Sequence, residues 1–497
     1  MSDPLAELTH AGAGWAGLRV VVAGIGVSGF AAADALLERG ADVVVADAAQ
    51  SSAAHDRGIV LETLGATILL GEGMASRLPM VGDMLPDVVV TSPGWPPSQP
   101  LLAQAAAAGI PIWGEVELAW RMRPQTGAAP WLTLTGTNGK TTTVTMLESM
   151  LLAAGRRAIA AGNVGTPLLE AVLHPQPYDV LAVELSSFQL HWSQSLQPLA
   201  AACLNVAPDH LDWHGGISEY AAAKGRVYAN AEVACIYNDA DPVTEQLVRD
   251  AEVIEGCRAI GFTLGIPAVS MFGVVEDVLC DRAFVAERQT SAAELGTLDD
   301  VRAAGDGVLA PHNVANALAA AGLARAYGVP PVAVRDGLRG YRPQAHRIAS
   351  VATSGDVAWV DDSKATNPHA ASASLASFEH VVWIAGGLAK GATFDELVEQ
   401  HARRLRAVVL IGADRALIRA ALERHAPDVP VVEVDVEETG AVPVMEVVVA
   451  RAAQLARPGD TVLLAPACAS MDMFDNYAAR GDAFAAAVRS RAASAGG

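Results

Sequence analysis

The sequence predicts an α/β protein built of three blocks, and three observations carry that reading. Its 497 residues exceed one ordinary domain, which takes roughly 150. Short Val-, Ala- and Leu-rich runs bounded by Gly and Pro alternate with helical stretches almost to the end, as in parallel sheets covered on both faces. The rhythm breaks twice, at RMRPQTGAAP (Arg121 to Pro130) and at GLRGYRPQAHR, around Arg342 and Pro343. The expected divisions are 1–122, 123–342 and 343–497.

Each block is read in the same way. In the first, LRVVVAG predicts a strand, FAAADALLERG a helix closed by Gly40, and ADVVVAD and DVVVTSPG two more strands. The stretch Leu18 to Leu37 is apolar enough to resemble a membrane span. Asp34 and the cluster Gly24, Gly26 and Gly29 instead fit a strand, a turn and a helix. In the second block WLTLTG, DVLAVEL, LAACLNV and VACIY predict strands. In the third, VAWVD, HVVWIAGG, LRAVVLIG, VPVVEV and DTVLLAP do so.

Composition excludes several classes. Hydrophobic residues make up 52% of the chain and charged ones 18%, the opposite of a disordered protein. With 34 basic and 55 acidic residues the net charge is −21, so phosphate is repelled over most of the surface and no nucleic-acid partner is expected. Cys203, Cys235, Cys257, Cys280 and Cys468 form no CxxC pair, which argues against a disulfide framework or zinc knuckle. The start MSDPLAELTH has neither the basic nor the apolar region of a signal peptide. A cytoplasmic monomer without a membrane span is expected.

The strongest motif is GTNGKTTT, Gly136 to Thr143, between the strand WLTLT and an apolar helix. Gly136 and Gly139 let the backbone wrap an anion, and Lys140 can reach terminal phosphates while Thr141 ligates Mg²⁺. The usual pattern has a Gly where this chain has Leu134. GIGVSG (Gly24 to Gly29), with Asp47 ending the next strand, matches a dinucleotide fingerprint. A nucleotide-like ligand across this turn and Ser92, Pro93 and Gly94, a nicotinamide or flavin role, and a bare structural turn all remain open at this point. Glu184 and His210 end neighbouring strands of the Lys140 block, where a metal would find partners. In the third block DDSKATNP, GGLAKG and PACASMDMF carry Lys364, Lys390 and Ser470 to one sheet edge, a plausible site for a small anion.

These motifs, with ELSSFQL, DHLDWH, HNVAN and the pair His346–Arg347, occur in an order that resembles the Mur ligases of peptidoglycan synthesis along nearly the whole chain. The turns DSKATNP, GGLAKG and PACAS are similar to those of the D-glutamate-adding members. The resemblance implies an N-terminal Rossmann-like domain for a uridine diphosphate substrate, a central P-loop ATPase and a C-terminal Rossmann-like domain for the amino acid. It implies ATP and Mg²⁺, with UDP-N-acetylmuramoyl-L-alanine and D-glutamate as substrates. Carried over by motif, Gly136, Thr137, Asn138, Gly139, Lys140, Thr141 and Thr142 hold the ATP phosphates. Asn313, Asn316, Arg347 and Asp362 contact the rest of the nucleotide. Thr141, Glu184 and His210 ligate the metal. Val27, Ser28, Ser92, Pro93 and Gly94 hold the uridine diphosphate, and Asn163, Ser186 and Gln189 face the muramoyl group. Lys364, Thr366, Lys390, Ser470, Met471 and Tyr477 line the D-glutamate pocket. Lys224 falls where these ligases carry a carbamylated lysine, and with Lys140 and His210 it completes the catalytic set. Ala48 and Ala49 stand where relatives often have a basic residue.

Overall fold

The computed structural model describes residues 4–304, 308–435 and 443–495. Three sheets lie along the chain, and each is built mainly from parallel strands. The first has five strands, side by side as Thr67–Leu70, Asp42–Asp47, Arg19–Ala23, Val88–Thr91 and Ile112–Gly114. The Val runs at its centre are buried on both faces, which is why they show no alternation. The stretch weighed above as a span resolves into the strand Arg19–Ala23 and the helix Val27–Leu37. No described helix is long and apolar enough to cross a membrane.

The second sheet has nine strands. Its parallel part runs Met271–Val275, Arg258–Phe262, Ala234–Asn238, Ala200–Cys203, Trp131–Thr135, Val180–Glu184 and Ala158–Gly162, and Val278–Asp281 and Ala293–Thr297 extend it antiparallel. Helix Pro311–Tyr327 packs on this sheet almost wholly through small residues. A Cβ added at Gly322 would lie 2.9 Å from Ile236 Cδ1, so the Ala- and Gly-rich sequence sets how closely helix and sheet approach. Helices Lys140–Ala153 and Pro331–Gly340 join the same core. The third sheet runs Ala349–Ser354, Val357–Asp361, Thr461–Leu464, Val381–Gly386, Leu405–Ile411 and Val431–Glu433, with only the first pair antiparallel. All the strands expected from Val-rich runs are present. The short strands Thr67–Leu70 and Ile112–Gly114, and the hairpin strands Met271–Val275 and Val278–Asp281, carried no run long enough to announce them.

The first and second sheets share one apolar core, in which Trp120 meets Trp131 edge to face at 5.0 Å. Two carboxylates of helix Glu115–Arg121 fasten this junction. Glu117 is fully buried; its Oε2 accepts from the amides of Gln194 (2.7 Å) and Ser195 (2.9 Å), and its Oε1 accepts from Arg121 Nε (2.7 Å). Glu115 Oε1 accepts from the Leu169 amide at 3.0 Å, at the start of helix Leu168–Val172. No cation among the described residues pairs with it, and burial pushes its carboxyl up to about 7.

A carboxyl raised on folding binds more protons in the folded chain than in the unfolded one. Its stabilising contribution is therefore complete below its ordinary value and is lost as pH climbs through about 7. Glu115→Gln keeps an acceptor for Leu169 and abolishes the ionisation. The variant should melt above the wild type at pH 8, with the gap narrowing toward pH 5. A gap independent of pH would contradict this account.

Candidate active site

The strand Trp131–Thr135 lies inside the second sheet, between Ala200–Cys203 and Val180–Glu184, and delivers the glycine turn to the first residue of helix Lys140–Ala153. Leu134 is a fully buried residue of that strand, so the anion-binding turn begins only at Gly136. Gly139 caps the helix at φ 83°. An added Cβ there would collide with the Asn316 amide group. Thr137 and Asn138 turn their own N–H groups away, donating to Asn205 O at 3.0 Å and Asn205 Oδ1 at 2.9 Å. The amides of Lys140, Thr141 and Thr142 have no acceptor within the helix. These three residues line the cavity, and such a helix N-terminus attracts anions. Lys140 Nζ donates to the carbonyls of Gly136 (2.9 Å) and Thr137 (3.0 Å), and burial lowers its pKa.

Glu184 ends the neighbouring strand and is 1% exposed. Its Oε1 accepts from Asn163 Nδ2 at 2.8 Å, while Oε2 is buried without a partner. Leaving a buried carboxylate oxygen unsatisfied is costly, and the residue faces the cavity. His210, at φ 52°, follows the strand Ala200–Cys203 in an irregular turn, and burial lowers the pKa of its imidazole. No group of three His, Cys, Asp or Glu among the described residues would cage a metal by itself. Thr141, Glu184 and His210 do line one cavity. That set fits Mg²⁺, which commonly takes one or two carboxylates and completes its shell with phosphate oxygens and water. Lys224, on helix Ile217–Gly225, is 1% exposed. Its Nζ donates to Gly136 O at 2.8 Å and sits 4.5 Å from the Tyr220 ring centroid. Burial, and then the charge of Lys140, lowers its pKa to about 7.

The same cavity, ≈ 420 Å³, is closed by residues of the third block. Asn313, Asn316, Arg347, Asp362, Lys364, Thr366 and Tyr477 line it together with Asn163 and Ser186. Burial pushes the Asp362 carboxyl up to about 6, against the pull of the Ser374 hydroxyl and Arg347. Lys364 Nζ lies 3.9 Å from the Tyr477 ring centroid, and burial lowers its pKa to about 8. Lys390, Ser470 and Met471 stand outside this lining, on two turns joined by a bridge between Leu388 and Ala469. Ser470 is buried, Met471 is 62% exposed, and the charge of Lys390 is felt at His210. Gln189 is not on the wall. It is 4% exposed, and its Oε1 accepts from the Ser186 amide at 2.9 Å as half of a capping box.

The glycine turn of the first sheet forms a separate surface. Val27, 59% exposed, and Ser28 open the helix, while Ser92, Pro93 and Gly94 follow the strand Val88–Thr91. Ser92 Oγ is buried without a partner, against Gly24 at φ 103°. Asp47 is committed to the turn itself: its Oδ2 accepts from Ile25 N at 2.7 Å and its Oδ1 from Ala49 N at 2.9 Å. Two cations escaped the sequence reading. Arg57 reaches the turn from helix Ser52–Thr63 and donates to Ile25 O at 3.4 Å. Arg480, 1% exposed, braces the third block by donating to Ser363 Oγ (3.0 Å), Ser363 O (2.9 Å) and Cys468 O (3.2 Å). Neither belongs to a motif; only the fold brings them in.

Gly139→Ala would force a side chain into a left-handed backbone, at about 1–2 kcal/mol, and push Asn316 aside. Calorimetry should show nucleotide affinity falling by at least tenfold in a variant that still folds. Undiminished affinity would contradict the geometry described for this turn.

Comparison with known proteins covers nearly the whole chain. Residues 18–114 match the Mur ligase MurD-like N-terminal domain, 134–324 the Mur ligase middle domain, and 346–468 the Mur ligase glutamate ligase domain. The UDP-N-acetylmuramoylalanine–D-glutamate ligase of Streptomyces coelicolor is 61% identical over 96% of this chain and 98% of its own length. The ligase of that name from Mycolicibacterium smegmatis is 48% identical over 95% and 97%. Among solved structures, a MurF ligase from Thermotoga maritima in complex with ADP shares the fold at TM-score 0.54, with 17% identity over 96% of each chain. A folylpolyglutamate synthase from Mycobacterium tuberculosis does so at 0.51, covering 73% of this chain and 91% of its own. With three segments matched in chain order and full-length relatives more than half identical, the chain belongs to the Mur ligase family.

Proposed function

We propose that this chain joins D-glutamate to the carboxylate of UDP-N-acetylmuramoyl-L-alanine, converting ATP to ADP and phosphate, in the cytoplasmic assembly of a peptidoglycan precursor. One observation supports it most. Full-length relatives bearing that ligase name reach 61% identity, and residues of the glycine turn and of the lysine-bearing turn of the third block line one cavity. A carboxylate resists attack by an amine because its oxygen leaves poorly. Transfer of the γ-phosphoryl group to that oxygen gives an acyl phosphate and ADP. The amine of D-glutamate then attacks the carbonyl carbon, and phosphate departs from the tetrahedral intermediate.

The first transfer brings two anions together. Lys140 and the amides of Lys140, Thr141 and Thr142 offset that charge and align the phosphates. Mg²⁺, when bound, supplies further charge neutralisation, and Thr141, Glu184 and His210 would hold it. Asn313, Asn316, Arg347 and Asp362 are assigned to the remainder of the nucleotide, and Asn163 and Ser186 to the muramoyl group. Lys364, Thr366 and Tyr477 receive D-glutamate, with Lys390 and Ser470 joining them when the two turns beside the cavity close. The uridine diphosphate belongs on Val27, Ser28 and the Ser92–Gly94 turn, with Arg57 beside them.

Phosphate release with UDP-N-acetylmuramoyl-L-alanine and a panel of amino acids tests this reading. Release should occur with D-glutamate alone and slow by about 10²- to 10³-fold in Lys140→Ala, since one lost electrostatic donor costs about 3–4 kcal/mol of barrier. Turnover with another amino acid, or at the wild-type rate in folded Lys140→Ala, would refute it.

Lys224 is proposed to carry CO₂ as a carbamate. An ammonium would repel Mg²⁺ from its own site, whereas a neutral amine can attack CO₂, form an N–C bond and lose a proton. Burial and Lys140 both favour that neutral amine. The carbamate N–H can keep the bond to Gly136 O, and its oxygens are hard ligands of the kind Mg²⁺ prefers. Lys224→Ala should lose nearly all activity and recover part of it when a short carboxylic acid is added. Full activity without the additive would rule the modification out.

A further inference from the structure

The third block touches the phosphate turn through Asn367, near the end of the DDSKATNP turn, and through His369, which no motif includes. Asn367 caps helix Pro368–Leu375, with its Oδ1 accepting from the Ala370 amide at 2.9 Å. That cap fixes which way the Asn367 amide points. Its Nδ2 therefore faces outward and donates to Asn138 Oδ1 at 3.2 Å and to Asp209 Oδ2 at 3.3 Å. Asn138 is oriented in turn: with Oδ1 on Asn367, its Nδ2 faces His369 Nδ1 at 2.9 Å. An amide NH₂ can only donate, so Nδ1 is the acceptor and the ring proton sits on Nε2. The turn side is equally well held, because the Asn138 main chain exchanges two hydrogen bonds with Asn205, at 2.9 and 3.1 Å.

We infer that His369 is a positioning residue for this reaction, latching the amino-acid-binding block onto the phosphate turn through Asn138. The inference rests on the ligase reading above and deepens it. Asn138 spends its amide N–H on Asn205 and its side chain on the third block. It therefore reports the state of the nucleotide turn to the block that carries Lys364 and Thr366. The bonds between Asn138 and the third block join neutral groups that line the cavity, so each contributes modestly and the latch can open for product release. His369 lies 231 positions from Asn138 in sequence, with nothing in the local pattern to mark it.

The test uses the full chain with His369→Ala and His369→Asn, the second retaining an oxygen that can accept from Asn138. Removing one such bond should raise the KM for D-glutamate about 2- to 10-fold. Affinity for a non-hydrolysable ATP analogue, measured by calorimetry, should stay within about twofold. With that analogue bound, small-angle scattering should give His369→Ala a larger radius of gyration than the wild type, and His369→Asn should restore both quantities. An unchanged KM for D-glutamate, a parallel loss of ATP affinity, or failure of Asn to restore would each overturn the latch. A wild type inactive with D-glutamate refutes the ligase reading instead. In that case scattering alone judges the latch, and equal radii for wild type and His369→Ala would sink it.

Discussion

Two lysine side chains converge on one carbonyl oxygen, that of Gly136, at 2.9 Å from Lys140 and 2.8 Å from Lys224. Much of the site follows from this crowding. Burial lowers both pKa values, and the charge of Lys140 lowers that of Lys224 further. Glu184 and Asp209 lean the other way, each favouring the charged form of Lys140. Within a chain of net charge −21, both lysines line the cavity onto which the phosphate turn opens. The small residues of helix Pro311–Tyr327 serve the same point, since their close approach to the sheet brings Asn316 against Gly139.

The site is assembled from several elements that each do one thing. Strand ends of the second sheet supply Glu184 and the turns carrying Gly136 and His210, and a helix start supplies the free amides. The third block adds the opposite wall through Asp362, Lys364 and Thr366. The buried Arg480 stiffens that wall from behind by satisfying carbonyls of Ser363 and Cys468 that irregular backbone would leave unpaired. A wall built on a separate sheet can withdraw, which suits a reaction whose nucleotide and amine arrive independently.

The junction between the first two sheets is of another kind. A continuous apolar core and the fully buried Glu117, with acceptor bonds to two amides and to Arg121, make it stiff. The glycine turn at Gly24 is therefore held at a set distance from the phosphate turn, while the third block meets the latter through a few neutral hydrogen bonds.

The sequence by itself determined the α/β class, the strands at the centre of each sheet and the phosphate turn. Those features are local: Val runs buried on both faces, and glycines whose backbone freedom a tight turn requires. It also pointed to the end of the strand that carries Glu184 and to the turns that carry His210 and Lys364 beyond theirs, because parallel sheets gather their functional residues on that side. Tertiary structure alone decided the rest. Gln189 sits in a motif yet is spent on a helix cap, and Asp47 is spent on its own turn. Arg57, Arg480 and His369 belong to no motif, and each acts only through a partner distant in sequence: 32, 117 and 231 positions away. Such pairings are set by how sheets and helices pack, a property of the whole core that no short window of residues contains.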